Sequence, residues 1–302
     1  MFVNGGGVLA STLLFYNMSI AQETDFCSSE PTVVFDSHSS GVSLHSDPDL
    51  LASYTDEIID VRSNLVIDDN TLFTNCVLIM SPGVSITVAS GITLSFDQLS
   101  HLLSCRYMWK GIIVESNSAL LDVSNTTIED AEIAVLAKES SRVNMISCTL
   151  NRNAIGIANY VDTQGKGASF ALTLEGTSIE CTSDLNSPYV GQTANFYKRS
   201  YRGIWFRDCA QNIAGADDAQ NTIDGCTVGI ELDKGNLTVQ GTLISNSKIS
   251  NTIYTAIDAH GNAISPVEIQ YAKGGNGIWA HNNGLLRVFE IRTNPPTHFS
   301  LN

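Results

Sequence analysis

A small residue followed by an aliphatic one recurs along this chain as Gly111-Ile112, Ala134-Val135, Gly156-Ile157, Gly203-Ile204, Gly229-Ile230, Ala256-Ile257 and Gly277-Ile278. The successive spacings are 23, 22, 47, 26, 27 and 21 residues. All but the third match one turn of a solenoid, and the third is either two turns or one turn carrying a long insertion. Two distant stretches also match: Gly111-Ile-Ile-Val-Glu-Ser-Asn-Ser-Ala-Leu-Leu-Asp-Val123 parallels Gly277-Ile-Trp-Ala-His-Asn-Asn-Gly-Leu-Leu-Arg-Val288, with one residue fewer. A unit this short cannot close a core alone, so each must bury its apolar side against the next.

Within a unit, apolar residues alternate over three to five positions before Asn, Ser, Asp or Gly intervenes, as in Thr127-Ile128-Glu129-Asp130, Thr149-Leu150-Asn151-Arg152 and Thr222-Ile223-Asp224-Gly225. Short strands broken by turns give this pattern. Stacking such coils about 4.8 Å apart pairs every backbone and aligns Ile, Val and Leu in continuous columns. Asn and Ser suit the bends because their side chains bond nearby backbone, and Asn tolerates left-handed geometry. The predicted fold class is all-β, a right-handed parallel β-helix with coils of about 21–27 residues. A β-sandwich also has many short strands, but it gives no reason for a unit recurring in one fixed register.

The run Trp109-Lys110-Gly111-Ile112, then Ala119-Leu120-Leu121-Asp122-Val123, then Thr127-Ile128-Glu129-Asp130-Ala131 resembles the parallel β-helix repeats of large secreted or cell-surface proteins of Bacteroidetes-type bacteria. The resemblance covers about residues 65 to 300. It implies the fold and export, and says little about activity.

The first 21 residues combine an apolar stretch, Val8 to Phe15, with Ser19 and Ala21 before Gln22, the pattern of a cleaved secretory signal. Residues 22–64 are polar and acidic and are expected to form a leader that caps the first coil, with a short helix starting at Asp47-Pro48-Asp49 and running to Tyr54. Residues 65–302 are expected to be the repeat domain, stopping in mid-repeat as a fragment of a longer protein would. Between Tyr160 and Tyr201 the sequence reads as one coil, near Leu172 to Ile179, followed by a protruding loop from Cys181 to Arg202. The seven cysteines form no C-x-x-C pair, so they read as buried packing residues with at most a few disulfides. Acidic residues outnumber basic ones 31 to 16, and the net charge of −15 opposes a phosphate backbone. No stretch after the leader reaches the roughly 18 apolar residues of a membrane-spanning helix.

If the aliphatic after each small residue points inward, the side chains one and three positions later point outward on one sheet face. Down the stack these are Ile113 and Glu115, Leu136 and Lys138, Ala158 and Tyr160, Trp205 and Arg207, Glu231 and Asp233, Asp258 and His260, Trp279 and His281. The last four pairs gather tryptophans, carboxylates, an arginine and histidines, with Trp205 and Trp279 expected three rungs apart, about 14 Å. Trp205, Arg207, Glu231, Trp279 and His281 suit a glycan surface, where indoles stack on sugar rings and charges meet hydroxyls or uronates. Glu231, Asp233 and Asp258 are oxygen donors of the kind that hold calcium. Arg207, Asp233, Asp258 and His260 are the groups an acid–base cleavage of polysaccharide would use. A solvated face with no ligand is the fourth reading. The polygalacturonase-like enzymes of this fold carry clustered Asp motifs and a Gly-His-Gly, whereas Asp258-Ala259-His260-Gly261 here lacks the first glycine. Asp217-Asp218 reads as a solvated turn, and His38, His45, His101 and His298 have no partner at a useful spacing.

The expected function is therefore a non-enzymatic spacer or adhesin that binds a polysaccharide or cell-surface glycan, with calcium as the one cofactor the residues admit. The alternative is a polysaccharide lyase or glycoside hydrolase of the pectin-lyase-like β-helix type.

Overall fold

The short alternating segments fold as strands that stack coil upon coil instead of turning back as hairpins. A computed structural model describes residues 26–36, 42–43, 52–192, 198–214, 219–245, 256–257, 263–264, 276–282, 285–289, 292–293 and 298–301. Three large sheets run along the stack, of 11, 10 and 6 strands, and every pairing within them is parallel. Sheet 1 carries the small-aliphatic repeat, in strands that include Gly111–Val114, Ile133–Ala137, Ile155–Asn159, Arg202–Ala214, Val228–Gln240 and Asn276–His281. Sheet 2 includes Thr93–Asp97, Leu120–Ser124, Arg142–Ile146 and Ala171–Glu175, and sheet 3 includes Thr127–Glu129, Thr149–Asn151, Ser178–Glu180 and Asn221–Asp224. The chain is a parallel β-helix.

The core is a set of ladders. Ile112, Val135, Ile157, Ile204, Ile230 and Ile278 are all buried in one inward column of sheet 1. On sheet 2, Tyr54, Phe73 and Phe96 stack with centroids 5.1 Å apart at each step. The small residue of the repeat has a steric cause: a Cβ at Gly156, Gly203 or Gly229 would lie 2.4–2.6 Å from the carbonyl oxygen of the glycine in the next coil. Left-handed φ at Asn75, Asn125, Ser147 and Gly176 turns the chain between sheets 2 and 3, the role expected of Asn and Ser.

Four expectations change and one open alternative is settled. The stack begins before residue 65: Val33–Phe35 pairs with Ile58–Val61, and Ser53–Thr55 with Thr71–Thr74. Tyr54 therefore ends no helix; it sits in a strand with its ring in the core, because aromatic stacking on Phe73 favours the coil register. The interval of 47 is a single coil, since Ile157 pairs directly with Ile204. The part of the loop after Cys181 that is described, through Gln192, does not protrude. It folds back on the stack, where Leu185 and Tyr189 pack with Met108, Ala154 and Cys181 and the Tyr189 hydroxyl donates to Glu132. Finally, Ala256–Ile257 is not a coil of sheet 1; it pairs antiparallel with Ala263–Ile264, while Ile230 pairs straight with Ile278. The carbonyl of Gly277 already lies where a Gly229 Cβ would be, which leaves no gap for another rung.

Cys27 and Cys105 form a disulfide that ties the short 3-10 turn Phe26–Ser28 to the stack, and the five cysteines without a disulfide are buried. Among the described residues no helix is long and apolar enough to cross a membrane. Residues 1–21, Asp47-Pro48-Asp49, His38, His45 and Asp217-Asp218 lie outside the described residues.

Candidate functional site

The outer face of sheet 1 gathers most of the predicted side chains, in a register different from the expected one. Trp205 pairs with Glu231, and Glu231 with Trp279, so the two tryptophans are two rungs apart, about 9–10 Å rather than 14. In the adjacent column Arg207 pairs with Asp233, and Asp233 with His281. Asp258 and His260, the remaining weak catalytic and calcium candidates, lie outside the described residues. Their expected place between Asp233 and His281 is taken by direct pairing of the flanking strands.

These side chains are engaged with one another. Glu231 points outward, yet it is only 3% exposed. Its carboxylate accepts from Arg202 Nε on one side and lies 3.3 Å from His281 Nε2 on the other. The second ring nitrogen, His281 Nδ1, is 3.4 Å from Asp233 Oδ1, which also accepts from Asn282 Nδ2 at 2.6 Å. The imidazole stacks on Trp279 at 4.3 Å. Trp205 carries two guanidinium groups, those of Arg202 and Arg207, each 3.9 Å from its ring centroid. Burial, followed by the charge of Arg202, pushes the Arg207 guanidinium below its usual pKa. Arg202 was absent from the sequence candidates, because it precedes the small residue and the register argument places only positions after it. Among the described residues no group of three His, Cys, Asp or Glu side chains is placed to hold a metal ion. Of the calcium candidates described, Glu231 is taken by Arg202 and His281.

The lower rungs of the same face differ. Glu115, Lys138 and Tyr160 follow one another in the column, with Lys138 Nζ 2.6 Å from Glu115 Oε1 and 5.3 Å from the centroid of the Tyr160 ring. At Tyr160 the chain leaves the ladder and makes a hairpin, in which Val161 bridges antiparallel to Gly167. Direct pairing with the next coil ends at Ala158, and beside the hairpin the buried Asn159 side chain supplies the next bonds. Its amide nitrogen donates to the carbonyls of Ala168 and Arg207, and its oxygen accepts from the Arg207 N–H. Between hairpin and sheet lies an open cleft of about 390 Å3 with Glu115, Lys138, Glu139, Tyr160, Asp162 and Lys166 on its walls. Register arithmetic placed Tyr160 and Lys138 on this face, but only the hairpin makes a cleft of them.

His101, expected to be without a partner, has one: its Nε2 lies 3.1 Å from Glu129 Oε2, and its ring meets Phe26 edge-on. Arg152 binds both Glu129 and Asp130. Burial pushes both carboxyls up. At Glu129 the hydrogen bond from His101 and the charge of Arg152 outweigh burial and its pKa falls, while at Asp130 burial prevails and the pKa rises. This cluster is internally satisfied and presents no open group. Comparison with protein-family models, with curated proteins and with solved structures finds no match to the chain.

Proposed function

We propose that the chain is a non-enzymatic β-helix repeat region of a secreted or cell-surface bacterial protein, a rigid spacer or adhesin that binds carbohydrate on the outer face of sheet 1. The observation that carries this reading is the column Trp205, Glu231, Trp279, which holds two partly exposed indoles on a flat, hydrogen-bonded sheet with Arg207 and His281 beside them. Rigid aromatic platforms flanked by hydrogen-bonding groups bind sugars at little cost in side-chain entropy. Both rings are already covered in part, Trp205 by two guanidinium groups and Trp279 by the His281 imidazole, so Trp279 is the main platform and Arg207 the main polar contact. The Cys27–Cys105 disulfide supports export to an oxidising compartment, and so does the resemblance of the repeats to those of Bacteroidetes-type surface proteins.

Retention of the protein on an array of neutral and acidic polysaccharides tests the reading. Trp279→Ala should abolish retention with an unchanged far-ultraviolet spectrum; retention equal to the parent protein removes the face from the proposal. Cleavage by a pectin-lyase-like lyase or glycoside hydrolase is a second reading, favoured by one observation, the contact of His281 Nδ1 with Asp233 at 3.4 Å. New reducing ends or unsaturated uronates on the same array would support it, and absence of product with and without calcium counts against it.

A further inference from the structure

We infer that the cleft between hairpin 160–168 and the lower rungs of sheet 1 is a separate subsite for a sugar ring that carries a carboxylate. This rests on the carbohydrate reading above and adds to it a place and a chemical class.

Most polar groups in the cleft are already satisfied. Lys138 holds Glu115 at 2.6 Å. Glu139 Oε2 accepts from the Ser169 N–H at 2.6 Å. Asp162 Oδ1 accepts from the N–H groups of Gln164 and Lys166, both at 2.9 Å, and so closes the hairpin turn. The three carboxylates on the walls are therefore used by the fold. What remains, among the described residues, is Tyr160, 40% exposed, with Lys138 Nζ over its ring and no hydrogen-bond partner for its hydroxyl, and the Lys166 ammonium, which has no ion pair.

A half-exposed aromatic face beside an unpaired cation matches a pyranose whose C–H face lies on the ring and whose carboxylate meets the ammonium. A cationic sugar placed there would set its charge against the Lys166 ammonium. A phosphate chain would find no cradle of backbone N–H groups, since those of the turn are taken by Asp162. The volume, about 390 Å3, lies within the range of small-ligand pockets. Ala158 pairs with Trp205, so Tyr160 stands on the same face as the upper tryptophans, and one chain of sugars can reach from Trp279 toward the cleft.

The test is isothermal titration of residues 22–302 with oligomers of glucuronate, galacturonate and mannuronate and with their neutral counterparts. The net charge of −15 repels polyanions at long range, so the buffer holds about 0.15 M salt, where charges beyond about 8 Å are screened. One uronide should bind at least tenfold tighter than its neutral counterpart. Lys166→Ala, which removes an unpaired side chain, should erase that preference while the neutral oligomer still binds. Tyr160→Ala should weaken both. Equal binding of charged and neutral oligomers, or a preference untouched by Lys166→Ala, overturns the inference and leaves the carbohydrate reading standing. Binding lost in Trp279→Ala but unchanged in Tyr160→Ala does the same. No binding by any oligomer overturns the carbohydrate reading itself.

Discussion

The upper and lower rungs of sheet 1 share one backbone, one register and one outward column, yet they use their polar side chains in opposite ways. Above Arg202, charges pair within the protein until Glu231 is nearly sealed from solvent. Below it, the hairpin after Asn159 lifts the chain away from the sheet and leaves Tyr160 and Lys166 open. The difference teaches that register decides which residues share a face, while departures from register decide which of them stay open to solvent. A regular β-helix offers a flat wall, and here the interruption in the repeat supplies the concavity.

Breaking the upper network should have the largest effect. Glu231→Ala leaves Arg202 without its carboxylate in a site where Glu231 is 3% exposed. Removing one partner of a buried pair costs about 3–5 kcal/mol, and the urea midpoint should fall accordingly. A midpoint within experimental error of the parent protein would mean that the upper rungs are as loosely held as the lower ones, and the contrast would disappear. Glu231→Ala should also free His281 and loosen its stack on Trp279, so glycan retention should fall with stability.

Asn159→Ala comes next. It deletes three hydrogen bonds at the rung where the hairpin departs and leaves the backbone N–H and C=O of Arg207 unpaired inside the stack. At about 1–3 kcal/mol for each buried group left unsatisfied, these two groups predict a loss of about 2–6 kcal/mol, with faster amide exchange at Arg207. Unchanged exchange would mean that the hairpin is not pinned by this side chain.

Much of this arrangement was legible in the sequence, for identifiable reasons. The repeat exposed the inward column from Ile112 to Ile278, because a glycine against the next coil's carbonyl is a steric demand that recurs at Gly156, Gly203 and Gly229. The same arithmetic put Trp205, Arg207, Glu231, Asp233, Trp279 and His281 on one face. It miscounted Ala256-Ile257, whose residue types fit the pattern while its backbone pairs elsewhere. The early coils from Val33 were missed because Asn64-Leu65 interrupts the small-aliphatic pattern between Gly41-Val42 and Ser85-Ile86, and an aromatic ladder carries the packing on sheet 2. The Cys27–Cys105 link and the fold-back of Tyr189 onto Glu132 span 78 and 57 residues, and no periodic signal reports contacts of that kind.

The smallest expected effect is on the lower rungs. Lys138 and Glu115 pair at 2.6 Å, but their side chains remain 26% and 31% exposed. An ion pair open to water to this degree contributes about 0.2–1 kcal/mol, because solvent screens the attraction and two flexible side chains lose entropy in making it. Lys138→Ala should therefore shift the urea midpoint far less than Glu231→Ala, and salt should shrink even that shift. It has a second consequence in the cleft. Glu115 loses its counter-ion, so a carboxylate-bearing sugar should bind more weakly while a neutral one is little affected. A stability loss as large as that of Glu231→Ala would show that the lower pair is part of the same structural network and that the cleft is a by-product of folding. A small loss of stability joined to a selective loss of uronide binding would separate the two halves of the face by function as well as by burial.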